Sequence, residues 1–170
     1  GLGGLQLHNA GFSGARASSM PADLVQSQGT IAVPALTVIQ IGINDWGNQI
    51  ALATFRSNLQ AKVDAAKAYG SDLVMMTMFP STSVNENPVP QREYAASLRQ
   101  VAKDSGALFI DTWSRWRCFD RPRQLAYMDD ALHPIPAGYM EAAHYLAKVL
   151  TAPAPDEQIR FSGYESSLGI

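Results

Sequence analysis

Asp130 and His133 stand three residues apart in the stretch Asp130-Ala-Leu-His133-Pro134. A carboxylate and an imidazole held that close on one polar loop can do acid–base work on a substrate lying above it. The same spacing has a plainer reading, in which Asp130 caps the helix that follows and His133 is an ordinary surface residue. What decides between them is the rest of the chain: the elements that must carry this loop and the turns that accompany it.

Four runs read as strands: Leu5 to His8, Leu36 to Ile41, Asp72 to Phe79, and Ala107 to Asp111. The second is β-branched and almost continuously apolar, as expected of a strand buried on both faces in a parallel sheet. Four stretches read as helices. One starts near Ser18, Ser19 and Pro21 and runs to about Gly29. The next spans Leu52 to Tyr69, with Leu52, Phe55, Leu59, Val63 and Ala66 on one stripe and Gly70 as its C-cap. A third runs from Gln91 to Ser105, and the last from Pro136 to Leu150, with Tyr139, Ala143, Leu146 and Leu150 on its apolar face. Residues 80–90 are a loop long enough to line a site, and residues 112–129 read as irregular. Trp113, Arg115, Trp116 and Arg117 read as cover for the core edge, with a substrate groove as the alternative. His8 and His144 read as structural, and Met75 and Met76 as core filling. Alternating strands and helices imply an α/β fold: a three-layer sandwich with a parallel, flavodoxin-like sheet flanked by helices. Residues 1–150 form one domain and 151–170 a linker or tail.

Composition narrows the function classes. At 170 residues, 46% hydrophobic and 16% charged, the chain is long enough for a full core. A formal net charge of −2 offers no basic surface for nucleic acid. No apolar run approaches a membrane span. One cysteine, Cys118, excludes an intrachain disulfide, and with three scattered histidines it argues against structural zinc.

In an open parallel sheet, ligands bind beyond the carboxyl ends of the strands. Three turns fall there: Asn9-Ala-Gly-Phe-Ser-Gly14, Gly42-Ile-Asn44-Asp45, and the Asp130–His133 loop, which is followed by Gly138-Tyr139. In order and spacing they resemble the second, third and fifth blocks of the SGNH (GDSL-type) hydrolases, a resemblance that covers most of residues 5–150. It implies an ester hydrolase with no metal or cofactor, acting on a small-molecule, lipid or carbohydrate ester. It also implies roles. His133 is the base, and Asp130 fixes its tautomer and stabilises the imidazolium. Gly14 offers a backbone N–H to the oxyanion, its lack of a side chain admitting the substrate. Asn44 offers a side-chain N–H that stays neutral at every working pH. Taken singly, Gly14 also reads as a turn residue, Asn44 as a helix cap, and Asp45 as a cap for the following segment.

The family's first block, Gly-Asp-Ser on a central strand, is not found in these residues. The expectation is that this strand and its nucleophilic serine precede residue 1. Ser13 is an alternative nucleophile, although Gly11-Phe12-Ser13-Gly14 lacks the Gly-x-Ser-x-Gly elbow spacing. A circular permutation using residues 159–166 is another. The rival from a different class is a non-catalytic domain of the same fold, serving carbohydrate binding or assembly. Many members of the family are exported, but compartment and oligomeric state are not set by the sequence.

Overall fold

A computed structural model describes residues 7–19, 34–83 and 87–152. Three parallel strands form its sheet: β1 (Leu36–Gln40), β2 (Asp72–Met76) and β3 (Leu108–Ile110), side by side in that order. Val38 lies opposite Val74, and Val74 opposite Leu108. Between β1 and β2 run α1 (Ile43–Gly47) and α2 (Leu52–Ala68), and between β2 and β3 runs α3 (Gln91–Ser105). After β3 come α4 (Thr112–Arg117), α5 (Arg121–Ala126) and α6 (Pro136–Thr151).

Side chains alternate across a strand, so β2 feeds two cores. Leu73 and Met75 join Ile39 and the buried stripes of α2 (Phe55, Leu59, Val63, Ala66) and α3 (Tyr94, Leu98, Val101). Val74 and Met76 join Ile110, Trp116, Met128 and Ala142 on the opposite side. Helices therefore cover both faces, as the alternation of elements implies. Phe55, Leu59 and Val63 are fully buried, each contributing about 1.5–3 kcal/mol by leaving water. α3 ends where the spacing predicts, with Gly106 as its C-cap, while α2 ends one residue sooner, at Ala68, with Tyr69 as C-cap and Gly70 following at φ 77°.

Several expectations need correction. β1 is not buried on both faces: Thr37 and Ile39 are buried while Leu36 and Val38 are 42% and 44% exposed. The buried cluster on that face draws on β2 and β3 and includes no residue of β1. Leu7 and His8 form no strand and are exposed, and residues 5 and 6 lie outside the described residues. So do most of the helix expected up to Gly29 and the stretch 159–166. β2 ends at Met76 rather than Phe79, although the Thr77 N–H still reaches the Ile110 carbonyl at 3.0 Å.

Residues 112–129 are not irregular. α4 and α5 are short, and aspartates start them. Asp111 accepts from the Ser114 N–H at 2.9 Å and Asp120 from the Arg123 N–H at 2.8 Å, each satisfying an otherwise orphaned donor. The buried stripe of α6 is also rotated from the expected one: Gly138 and Ala142 are buried, while Tyr139 and Leu150 are half exposed and Ala143 is exposed. Gly138 sets the rotation. A Cβ there would lie 2.5 Å from the Tyr127 carbonyl and 2.9 Å from both Pro134 and Trp116, so the helix can approach closely only along this line. His144 sits exposed on α6 and makes no part of the core.

Candidate active site

The site is assembled at the carboxyl ends of β1 and β2. Beyond β1 the chain turns at Gly42, whose φ of 119° is open to glycine and strained for other residues. A Cβ at Gly42 would also come within 2.4 Å of the Met78 side chain and 3.2 Å of Phe55. This turn delivers Asn44 and Asp45 in the first turn of α1.

Neither residue is a helix cap, since Gly42 occupies that position and no side-chain bond caps α1. Asp45 is fully buried. Its carboxylate accepts the Ala17 N–H at 3.2 and 3.1 Å on its two oxygens. Burial raises its pKa, opposed by the Ala17 N–H, its own N–H and nearby Arg16. The Asn44 side-chain amide donates to the Ala15 carbonyl at 3.0 Å, which occupies one of its two N–H groups. Together the pair fastens residues 15–17 to the end of β1. Gly14, one residue earlier, has φ 72° in an exposed turn, and Ser13 is exposed beside it.

The Asp130–His133 loop is closed by its own backbone. The Asp129 N–H donates to the His133 carbonyl at 2.8 Å, and Ile135 donates to Tyr127 at 2.9 Å. From the far side, Thr82 donates to Ala131 at 2.9 Å, tying the loop to the chain leaving β2. Asp130 does not cap α6, whose N-cap is Ile135. Instead Oδ1 accepts the N–H groups of Leu132 and His133 at 2.6 and 2.7 Å, while Oδ2 meets His133 Nδ1 at 2.8 Å. With Nδ1 so engaged, Nε2 is the ring nitrogen left for a reacting group.

Bonding to His133, then to the Leu132 and His133 N–H groups, holds the Asp130 carboxyl down at about 2 from its ordinary 3.8. A depressed carboxylate pKa stabilises the loop above pH 3.8, and that support is lost as pH falls through about 2. The Asp130 Cγ resonance followed by NMR is therefore expected to titrate near pH 2. A midpoint near 3.8 would mean that the Nδ1 bond does not form.

His133 lines a cavity of about 160 Å³ with Gln40, Ile41, Ile43, Met78, Phe79, Leu132, Pro134 and Tyr139. The structure thus brings the imidazole to the turn that carries Asn44, through Ile41 and Ile43. Gly14 and Asn44 do not themselves line this cavity. Gly14 is linked to it through Ala15 and Asn44.

Some residues of the site were not singled out from the sequence. Gln40 lines the cavity and donates to the Thr77 carbonyl at 3.2 Å. Gln91 is buried at the start of α3 and shapes the loop after β2. It donates to Phe79 at 2.8 Å and accepts from the Ser81 N–H at 2.9 Å and from Trp113 Nε1 at 3.1 Å. The only sequence signal for Gln91 is a long amide in a helix first turn beside a proline-rich loop. The Trp–Arg cluster divides. Trp116 is fully buried and Arg115 pairs with Glu141 beneath it, whereas Trp113 and Arg117 line a second groove.

The fold is similar to those of several solved structures. Over 82% of its length, and 78% of the other chain, the fold matches an acetyl xylan esterase with a TM-score of 0.70 and 16% identity. It matches a lipase/acylhydrolase from Enterococcus faecalis over 81% and 71% of the two chains, with TM-score 0.67 and 18% identity. A catalytic mutant of an acetylxylan esterase from Geobacillus stearothermophilus matches over 80% and 68%, with TM-score 0.63 and 24% identity. No curated protein sequence is similar enough to match. The family model of the GDSL-like lipases and acylhydrolases matches residues 1–140, and the chain belongs to that family.

Proposed function

We propose that the protein is a serine ester hydrolase in which His133 is the general base, Asp130 its orienting carboxylate, and Gly14 and Asn44 the oxyanion donors. The observation that carries this reading is the 2.8 Å contact of Asp130 Oδ2 with His133 Nδ1 at the rim of a cavity beyond the strand ends. Asp130 holds the hydrogen on Nδ1, so Nε2 presents a lone pair. Nε2 takes the proton of a serine hydroxyl as the oxygen attacks the ester carbonyl. The same proton then passes to the departing alkoxide, and water repeats the cycle to free the acid. The negative charge on the former carbonyl oxygen is met by the Gly14 backbone N–H and the second amide N–H of Asn44. One such donor is worth roughly 3–4 kcal/mol in the transition state. The cavity, walled by Ile41, Ile43, Met78 and Phe79, holds a group of about benzene size. That suits an acetyl or other short acyl group.

The serine in this reading is carried outside the 170 residues. The support for that lies in the sequence, in which Gly-Asp-Ser does not occur. Purified as these 170 residues, the protein is expected to hydrolyse p-nitrophenyl acetate weakly or not at all, and to gain turnover when the preceding coding sequence is restored. Turnover by the 170 residues alone that disappears in Ser13→Ala would assign the nucleophile to Ser13 instead.

A further inference from the structure

A groove of about 230 Å³ has no lining residue in common with the His133 cavity, but two segments of the chain, α1 and the stretch after β2, contribute to both. Ile43 faces the cavity and Trp46 the groove, three residues apart on α1 and so ~5 Å along its axis. Phe79 faces the cavity, and Ser81 and Ser83 the groove.

The groove's lining is one-sided in charge. Arg92 and Arg117 border it together with Ser81, Ser83 and Asn87, and among the described residues none of its lining is acidic. This is unlike the chain as a whole, whose formal charge is −2. The two arginines are not equivalent. Arg92 meets Glu93 at 3.3 Å in an exposed pair, which blunts its charge. Arg117 stacks over the Trp113 ring at 5.5 Å and forms no ion pair among the described residues. Trp113 is itself fixed by its indole bond to Gln91. The guanidinium is therefore held by stacking while its N–H fork stays available, the arrangement suited to planar oxyanions. Trp46, in the wall, has a buried indole N–H with no acceptor among the described residues.

We propose that this groove binds an anionic group, a carboxylate or a phosphate, carried on the alcohol portion of the ester, with Arg117 as its principal contact. The assignment to the alcohol portion rests on the ester-hydrolase reading; the binding does not. The acyl group occupies the His133 cavity, and the anion sits in the groove, on the other side of the α1 and post-β2 segments that line both.

The test is an NMR titration of the 170-residue protein, following the Trp46 and Trp113 indole signals, with glucuronate, glucose 6-phosphate and glucose as probes. At least one anionic sugar is expected to shift these signals saturably while neutral glucose does not. Whichever anion binds identifies carboxylate or phosphate as the preferred group. Arg117→Gln is expected to weaken that binding by roughly tenfold or more, with Arg117→Lys between it and the native protein. Arg117 is exposed, so an unchanged far-UV spectrum separates lost binding from lost fold. Equal shifts with glucose, no shift with either anion, or an unaltered affinity in Arg117→Gln would overturn the proposal. No ester and no turnover enter this titration, so its failure leaves the hydrolase reading intact, and a failure of hydrolysis leaves the titration standing.

Discussion

His133→Ala is expected to lower kcat for p-nitrophenyl acetate by at least about 10³-fold in the form of the protein that turns it over. Without Nε2 nothing takes the serine proton, and the remaining rate comes from the oxyanion donors and binding. Asp130→Asn tests the same mechanism more finely. The amide oxygen can still accept the Leu132 and His133 N–H groups that Oδ1 now holds. Its NH₂ would then replace Oδ2 and point a donor at Nδ1. That selects the tautomer with hydrogen on Nε2, which leaves no lone pair for the serine. A loss of roughly 10²–10⁴ in kcat is expected, with KM nearly unchanged because Asp130 does not line the cavity. Both side chains are largely exposed, at 69% for His133 and 56% for Asp130, so neither change is expected to unfold the protein. A loss confined to KM, or turnover indifferent to His133, would remove the base assignment.

The second large effect is on stability. Gly138→Ala places a methyl 2.5 Å from the Tyr127 carbonyl and 2.9 Å from Pro134 and the Trp116 ring. Backbone on one side and a fully buried indole on the other leave little room to yield. Overpacking of this kind costs about 1–3 kcal/mol, which for a chain this size lowers Tm by ~2–12 °C. Activity should fall with it, because Pro134 adjoins His133 and moves when α6 is pushed out. Differential scanning calorimetry reads the first effect and initial rates the second. An unchanged Tm would mean that α6 does not pack as closely as the structure has it.

The parts of the fold legible in the sequence are those written as periodic patterns. Phe55, Leu59 and Val63 announce α2, and the β-branched run from Leu36 announces β1, because burial against a large core is repeated every turn or every second residue. α4 and α5 are too short to show a period. Their signal is the aspartate at each start, which reads equally well as a loop residue. The face of α6 is not legible in the sequence because a glycine decides it: Gly138 counts for nothing on a hydrophobicity scale yet permits a close approach to Tyr127, Pro134 and Trp116.

The site divides the same way. Short motifs gave the order Gly14, Asn44, Asp130, His133 along the chain, and the loops they occupy are held together at one end of the sheet. What the motifs could not convey is tertiary. Asp45 looks like a local cap but spends its carboxylate on Ala17, 28 residues away. Asn44 shares its amide with Ala15. The groove of Arg117 and Trp113 draws on residues from position 46 to position 117, and no local pattern joins them.

The central claim is that the Asp130–His133 pair activates a serine that these 170 residues do not themselves supply. Mapping a fluorophosphonate adduct by mass spectrometry tests it most directly, using the protein with its preceding coding sequence restored. The expected result is a single adduct on a serine before residue 1, formed far more slowly in His133→Gln. An adduct on Ser13 or any other serine within the 170 residues, or labelling that His133→Gln leaves at full rate, would contradict it.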